Sequence, residues 1–386
     1  MEWNSRLRVV AAIEHMEPDR VPSDLEPLYD FYLNLKQYLG LNIKEEVKPN
    51  LAMEVIPHPD VIKAVGADMI SVKLGSGKAP KKPARTDDLV EDAWGVLYRK
   101  VNQTSGSYWE TAYSPLADAT LDDLKHYPWP DPNIPGRYEE TAENAKNLFE
   151  NTDLALMGRF GSPIIETAVY LMGFENWLLC LAKAPEVAGY LLDRITDVVI
   201  DMDRIGLEAS APYLQILKVS GEDLGTQRGL LYSPRMLRSL ILPRLQRRWQ
   251  AARDYLNTVN PGCQIMLHSC GSVRRIIPDL IAAGIQILDP IQPKAAEMDS
   301  AVLKQEFGKQ LSFHGGVDIQ EVLPFGTKEE VEQEVYSRIQ ALGHGGGYIL
   351  SSSHFIQADT PPANVVTMFE AAHKYGEYPL KKTDIL

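Results

Sequence analysis

The run Ile265-Met266-Leu267-His268-Ser269-Cys270-Gly271 sets an imidazole and a thiol two residues apart. On an extended chain successive side chains alternate faces, so His268 and Cys270 point to the same side of a strand. At a strand's C-terminal end that side is where a parallel barrel keeps its chemistry. Imidazole nitrogen and thiolate sulfur are donors that zinc prefers. The same pair also describes a small buried cysteine beside a hydrogen-bonded histidine, and the spacing alone leaves both readings open. A second segment, Gly345-Gly-Gly-Tyr-Ile-Leu-Ser351-Ser-Ser-His354, is a Gly-rich turn into an apolar run with a histidine past its far end. Strand ends distant in sequence meet at one mouth of a barrel, so His354 can converge on His268 and Cys270 as a third ligand. Without a metal it would be a histidine that binds phosphate or carboxylate.

Other motifs carry less. Gly75-Ser-Gly-Lys78 lacks the spacing of a phosphate loop and runs into Pro80 rather than a helix. Gly345–Gly347 precedes a strand instead of following one, so it is no dinucleotide fingerprint. Arg235, Arg238, Arg244, Arg247, Arg248 and Arg253 form a basic run without an intervening acid and read as a solvated helix face. Cys180 and Cys263 read as small buried residues.

Positioning the histidines and the thiol requires strands that end together. Short apolar or β-branched runs, each ending in a polar or small residue and followed by a stretch of helical period, recur along the chain. They predict strands at Arg20–Leu25, Ala67–Lys73, Ala155–Phe160, Leu214–Ser220, Gln264–His268, Ile285–Asp289, Leu311–His314 and Tyr348–Ser351. Eight such units close a (β/α)8 barrel, in one domain over residues 1–386. Before the first strand, Ser5–His15 predicts a short amphipathic helix acting as a lid or brace. Between the second and third strands the rhythm breaks, over about 78–135. Lys78-Ala-Pro-Lys-Lys-Pro-Ala-Arg85 is a basic, Pro-rich loop, and Trp94, Tyr98, Tyr108, Trp109 and Tyr113 stand among turn residues in an inserted β-hairpin. Tyr127-Pro-Trp-Pro-Asp-Pro132 is too rich in proline for a helix and predicts an extended strap.

Composition narrows the class. With 386 residues the chain can bury a large core without disulfide or structural metal, which leaves any metal ligands free for function. A net charge of -13 has the wrong sign for tracking nucleic-acid phosphates. Three cysteines support no disulfide framework, as expected of a cytoplasmic protein. No apolar run reaches membrane-spanning length.

Taken in order, Arg20-Val-Pro22, Gly66-Ala-Asp68, His268-Ser-Cys270-Gly271, Phe313-His-Gly-Gly-Val-Asp318, Gly346-Gly-Tyr-Ile-Leu-Ser-Ser-Ser-His354 and Thr360-Pro-Pro-Ala-Asn364-Val365 resemble the uroporphyrinogen decarboxylase superfamily. The His-x-Cys element resembles its zinc-dependent, corrinoid-linked methyltransferases, and true decarboxylases lack it. Where decarboxylases carry arginines that grip porphyrinogen carboxylates, this chain has Val21-Pro22-Ser23-Asp24-Leu25-Glu26-Pro27. Their catalytic aspartate falls at about Val72. Asp24 and Glu26 would repel a carboxylate-rich substrate, so uroporphyrinogen is not the expected one. In the coenzyme M methyltransferases the third zinc ligand is a second cysteine, and here His354 stands in its place.

The resemblance therefore implies zinc on His268, Cys270 and His354. It implies a small methylated substrate as donor, and as acceptor the Co(I) of a corrinoid carried by a separate protein; a homodimer fits as well. One thiolate and two imidazoles leave zinc a net positive charge, where two thiolates would neutralise it, so the site favours a neutral oxygen donor such as a methyl ether. Glu222 is the candidate for the fourth position at rest, or else caps a helix. Two rivals remain: a metal-free decarboxylase of a non-porphyrin substrate using His354 and Asp318, and a non-catalytic corrinoid- or tetrapyrrole-binding barrel with Trp94 to Tyr113 as a stacking wall.

Overall fold

The computed structural model describes residues 2–44, 49–78, 86, 88–103 and 106–381. Seven parallel strands, Met69–Lys73, Ala155–Arg159, Ile216–Gly221, Gln264–His268, Ile287–Ile291, Ser312–Val317 and Tyr348–Ser352, are hydrogen-bonded neighbours in chain order. The segment 21–25 fills the eighth place. Asp24 N donates to Leu350 O at 2.9 Å, Leu350 N to Pro22 O at 2.9 Å, and Asp68 N to Ser23 O at 2.8 Å. The ring is thereby closed into a (β/α)8 barrel. The strand expected over Arg20–Leu25 is reduced to isolated bridges, Ser23 to Leu350 in parallel and Arg20 to Glu377 antiparallel, because Pro22 cannot donate to a ladder. Two strands, Ile287–Ile291 and Ser312–Val317, run further toward the mouth than expected.

Period-two alternation builds the barrel interior in layers. Met69, Ala155, Met157, Ile216, Met266, Ile287 and Ile349 form an apolar layer, closed by Val9 and Ile13. Those two lie four apart on the helix Ser5–Ile13, which Asn4 caps by accepting from Leu7 N. The helix is a brace beneath the barrel and does not cover the site. Two residues further along the strands the interior turns polar: Arg159, Lys218, His268, Asp289 and His314 follow Met157, Ile216, Met266, Ile287 and Ser312. The expected metal ligand thus sits on top of an apolar plug.

Between the Met69–Lys73 and Ala155–Arg159 strands lies an antiparallel sheet of three strands, Leu89–Glu91, Leu97–Gln103 and Gly106–Tyr113, where a two-stranded hairpin was expected. The extra strand comes from an Asx turn: Asp92 Oδ1 accepts from Trp94 N at 2.9 Å and Val96 N at 3.0 Å, which folds Leu89–Glu91 back on the next strand. Most of the basic loop, residues 79–85, lies outside the described residues.

The arginine run is a solvated face in part, with Arg235, Arg238 and Arg247 exposed. Arg248 is fully buried against Asp203 at 2.6 Å, and Arg238, Arg244 and Arg247 pair with Asp279, Asp193 and Asp197. Acids from neighbouring elements thus pair with four of the six. Among the described residues no single helix is long and apolar enough to cross a membrane.

Candidate metal centre at the barrel mouth

His268 ends its strand, and its register partner on the adjacent strand is Asp289. In-register parallel neighbours project to the same face, so ring and carboxylate meet, with His268 Nδ1 2.7 Å from Asp289 Oδ2. An ionised carboxylate only accepts, so Nδ1 carries the hydrogen and Nε2 presents its lone pair. That Nε2 lies 3.3 Å from Cys270 Sγ. Cys270 occupies a sharp turn in which its amide donates to Asp223 Oδ1 at 3.1 Å. The turn needs Gly271, whose φ is +79° and where a Cβ would lie 2.7 Å from the Gly225 backbone. His354 follows the last strand by two residues and packs edge-on to His268, with ring centroids 5.7 Å apart.

One donor atom each from His268, Cys270 and His354 lies within 4.8 Å of the others. A tetrahedral zinc with nitrogen at about 2.0 Å and sulfur at about 2.3 Å spaces its donors roughly 3.5 Å apart, so the set matches in chemistry and in scale. Burial, reinforced by His268, lowers the basicity of His354, which suits a neutral imidazole ligand. Burial, with Asp223 and Asp289 nearby, pushes the Cys270 thiol well above its ordinary range. A divalent cation reverses that preference and makes the thiolate.

A buried ionic network stands behind His268. Asp289 Oδ2 also takes Lys218 Nζ at 2.8 Å, and Oδ1 takes His314 Nδ1 at 2.6 Å. Lys218 reaches Glu26 at 2.7 Å, His314 Nε2 reaches Asp24 at 3.2 Å, and Arg159 lies between Glu54 at 3.2 Å and Glu26 at 3.8 Å. Burial alone would lower the basicity of His314, but Asp289 and Asp24 raise it to about 10, so it is an imidazolium. Against the same burial, Lys218, His314 and His268 hold Asp289 well below the usual carboxylate range. Asp24, Glu26 and His314 also lie close enough to suggest a second metal cluster. The Lys218 ammonium already supplies the cation there. This network corrects the argument from repulsion, because Asp24 and Glu26 are both buried and neutralised.

Glu222 stands apart from the donor cluster. Its two oxygens accept from Ile164 N at 2.7 Å and Ile165 N at 2.8 Å, capping the helix Ile164–Met172. Burial raises its pKa to about 7, with Arg248 and the two amides opposing. Asp318 lines a cavity of about 280 Å³ with His354, Gln292 and Ser353. Its carboxylate is engaged by the amides of Gln320, Glu321 and Val322 at 3.0 to 3.2 Å. Glu222 takes the helix-capping alternative, and Asp318, expected to do chemistry, holds the backbone of its own turn. A larger cavity of about 1240 Å³ lies between the barrel mouth and the inserted sheet, walled by Trp94, Tyr98, Trp109 and Tyr170. It reaches Gly221, where a Cβ would lie 3.1 Å from the His268 ring, so glycine lets the backbone approach that ring closely. Sequence reasoning passed over Asp289, Lys218, His314, Arg159 and Asp223. For the first four the signal was available, as polar residues two places beyond an interior position.

The family model described as uroporphyrinogen decarboxylase (URO-D) matches residues 110–375. The uroporphyrinogen decarboxylase of Proteus mirabilis (strain HI4320) is 24% identical over 282 residues, 70% of this chain and 74% of that protein. That of Pseudoalteromonas atlantica is 25% identical over 285 residues, again 70% and 74%. Among solved structures, a methyltransferase from Methanosarcina mazei is similar in fold, with a TM-score of 0.63 at 18% identity over 97% of this chain and 99% of that one. With a closed parallel barrel, a polar mouth and a match over most of its length, this chain belongs to the uroporphyrinogen decarboxylase family.

Proposed function

We propose that this chain is a zinc-dependent methyltransferase, acting as one barrel domain, that moves a methyl group from a small methylated substrate to the Co(I) of a corrinoid held by a partner protein. The observation that carries this reading is the convergence of His268, Cys270 and His354, with His268 fixed in its tautomer by Asp289. Zinc on these donors supplies a Lewis acid that draws charge from the donor atom of the substrate, and the corrinoid supplies the nucleophile. The protein's own groups do the rest. Asp289 keeps Nδ1 of His268 protonated and its Nε2 free. The Asp223 carboxylate anchors the Cys270 turn. The apolar layer below shields the donors from bulk water on that side, which strengthens the charge interactions among them. With a single thiolate the centre keeps a positive charge, which favours a methyl ether over a thiol.

The metal-free decarboxylase reading needs Asp318 as a free acid, and three amides occupy that carboxylate. The aromatic wall of the large cavity favours the binding-only reading, and turnover separates it from catalysis.

Metal analysis of protein purified without chelator tests the proposal, with about one zinc per chain expected from one donor cluster. Cys270→Ser should lose it. His354→Cys should hold zinc yet demethylate ethers about tenfold more slowly, equivalent to about 1.4 kcal/mol of lost transition-state stabilisation. Full zinc in Cys270→Ser, or unchanged zinc and activity in His354→Ala, would refute the assignment.

A further inference from the structure

Helix Ile164–Met172 turns Thr167 and Tyr170 toward the large cavity, and Glu166 lies one turn before Tyr170. Glu166 Oε1 accepts from the Asp223 amide at 2.6 Å, and Asp223 takes the Cys270 amide at 3.1 Å. The carboxyl is therefore one residue removed from the thiol of the metal cluster. Its other oxygen, Oε2, is enclosed and has no hydrogen-bond partner.

Three carboxyl groups meet here, Glu166, Glu222 and Asp223. The cation beside them, Arg248, is 3.8 Å from Glu222 and engaged by Asp203 at 2.6 Å. Two helix amides stabilise charge on Glu222, and the Cys270 amide does so on Asp223. Glu166 has a single amide and a bare oxygen, so the proton shared among the three belongs on it. Burial first, then Glu222 and Asp223, hold its carboxyl well above the ordinary range, and Tyr170 and Tyr232, which also face the cluster, bring no positive charge. With Oε1 accepting, the hydrogen sits on Oε2. The fold thus contains a buried donor whose acceptor must come from outside, and Glu166 is only partly covered, so a side-chain rotation can present it.

We infer that Glu166 is the general acid of the transfer, protonating the oxygen from which the methyl group departs. This rests on the methyl-ether reading above. The O–CH3 bond breaks with its electron pair staying on oxygen, and that oxygen takes the proton from Oε2 and leaves as a neutral alcohol or phenol. The new cobalt–carbon bond uses the electron pair of the Co(I) co-substrate, which ends as Co(III). The Glu166 carboxylate regains its proton from water.

The test compares wild type, Glu166→Gln and Glu166→Asp, all purified with zinc. The wild-type minus Glu166→Gln infrared difference spectrum of the resting proteins at neutral pH should show the carbonyl band of one neutral carboxylic acid beyond the share that Glu222 contributes to both, with zinc content equal. With aryl methyl ethers of graded leaving-group acidity and reduced cobalamin as acceptor, Glu166→Gln should lose about 100-fold on the least acidic phenol. The loss should shrink as the leaving phenol becomes more acidic, and Glu166→Asp should restore part of it. A difference spectrum without that band, an equal loss across the series, or loss of zinc from Glu166→Gln would each overturn the proposal. A wild type that shows the band but demethylates no ether overturns the methyl-ether reading, and this role with it.

Discussion

Asp289→Asn keeps the shape of the side chain and removes its charge, which makes it the sharpest probe of the network behind the donor cluster. In the wild type two carboxylate oxygens serve three donors, His268 Nδ1 at 2.7 Å, Lys218 Nζ at 2.8 Å and His314 Nδ1 at 2.6 Å. Asparagine offers one oxygen and one NH2, and whichever way the amide turns, the NH2 faces a group that itself donates. Breaking a buried ion pair by removing one partner costs about 3–5 kcal/mol. Lys218 keeps Glu26 and His314 keeps Asp24, so the lower end, about 3 kcal/mol, is expected. That is a large part of the roughly 5–15 kcal/mol that holds a domain together, yet it leaves a folded protein to study. His268 is then no longer held with its hydrogen on Nδ1, and losing such a partner weakens metal binding by about 10–100-fold. Urea unfolding of zinc-free protein reads the first quantity, and chelator competition on folded protein reads the second. A variant within about 1 kcal/mol of wild type that also binds zinc within about threefold would refute the reasoning, because Asp289 would then neither balance the two cations nor orient the ligand.

Three further outcomes follow from the same geometry. His314 titrates near 10 in the folded chain against 6.5 unfolded, so the folded state binds the extra proton. Its stabilisation is complete below 6.5 and is lost as pH climbs toward 10; urea unfolding across that window should show falling stability, with a flatter profile in His314→Gln, and equal profiles would remove the imidazolium from the network. Glu222→Ala strips two amides of their acceptor and should lower stability by about 1–3 kcal/mol while zinc content stays the same; lost zinc would reinstate Glu222 as the fourth ligand. Incubation with uroporphyrinogen should yield no coproporphyrinogen, because two of the three basic residues lining the large cavity, Lys73 and Arg159, are engaged by Glu54, which leaves Lys100 as the remaining cation for a polycarboxylate; steady formation of that product would reverse the conclusion.

Much of the centre is legible in the sequence. His268 and Cys270 are bound by a spacing of two and a glycine, and a strand ending at His268 can only present them together. The barrel followed from eight repeats of one rhythm, because period-two and period-3.6 patterns are set by the chain's own geometry. The same alternation would have flagged Arg159, Lys218, Asp289 and His314, each two residues beyond an interior position, had the interior been traced layer by layer. The segment 21–25 was expected as a strand and is a bridge, since proline removes the donors a ladder needs.

What sequence could not supply is who meets whom. Asp289 faces His268 because two strands pair in one register, and register is fixed by packing all the strands around a single apolar layer. The same carboxylate, moved by one residue, would point out of the barrel. Glu222 has the chemistry of a catalytic acid, but the helix N-terminus at Ile164 and Ile165, brought beside it by the tertiary fold, claims its oxygens, whereas Asp318 is held by amides only two to four residues on. Glu166, unremarkable in an apolar helical run, is left with one bare oxygen only because the Asp223 turn and a second carboxylate close over it. Local periodicity determined the elements and the ligand pair, whereas the charge state and partner of each buried group were decided by contacts across the barrel, where desolvation makes every unpaired charge costly.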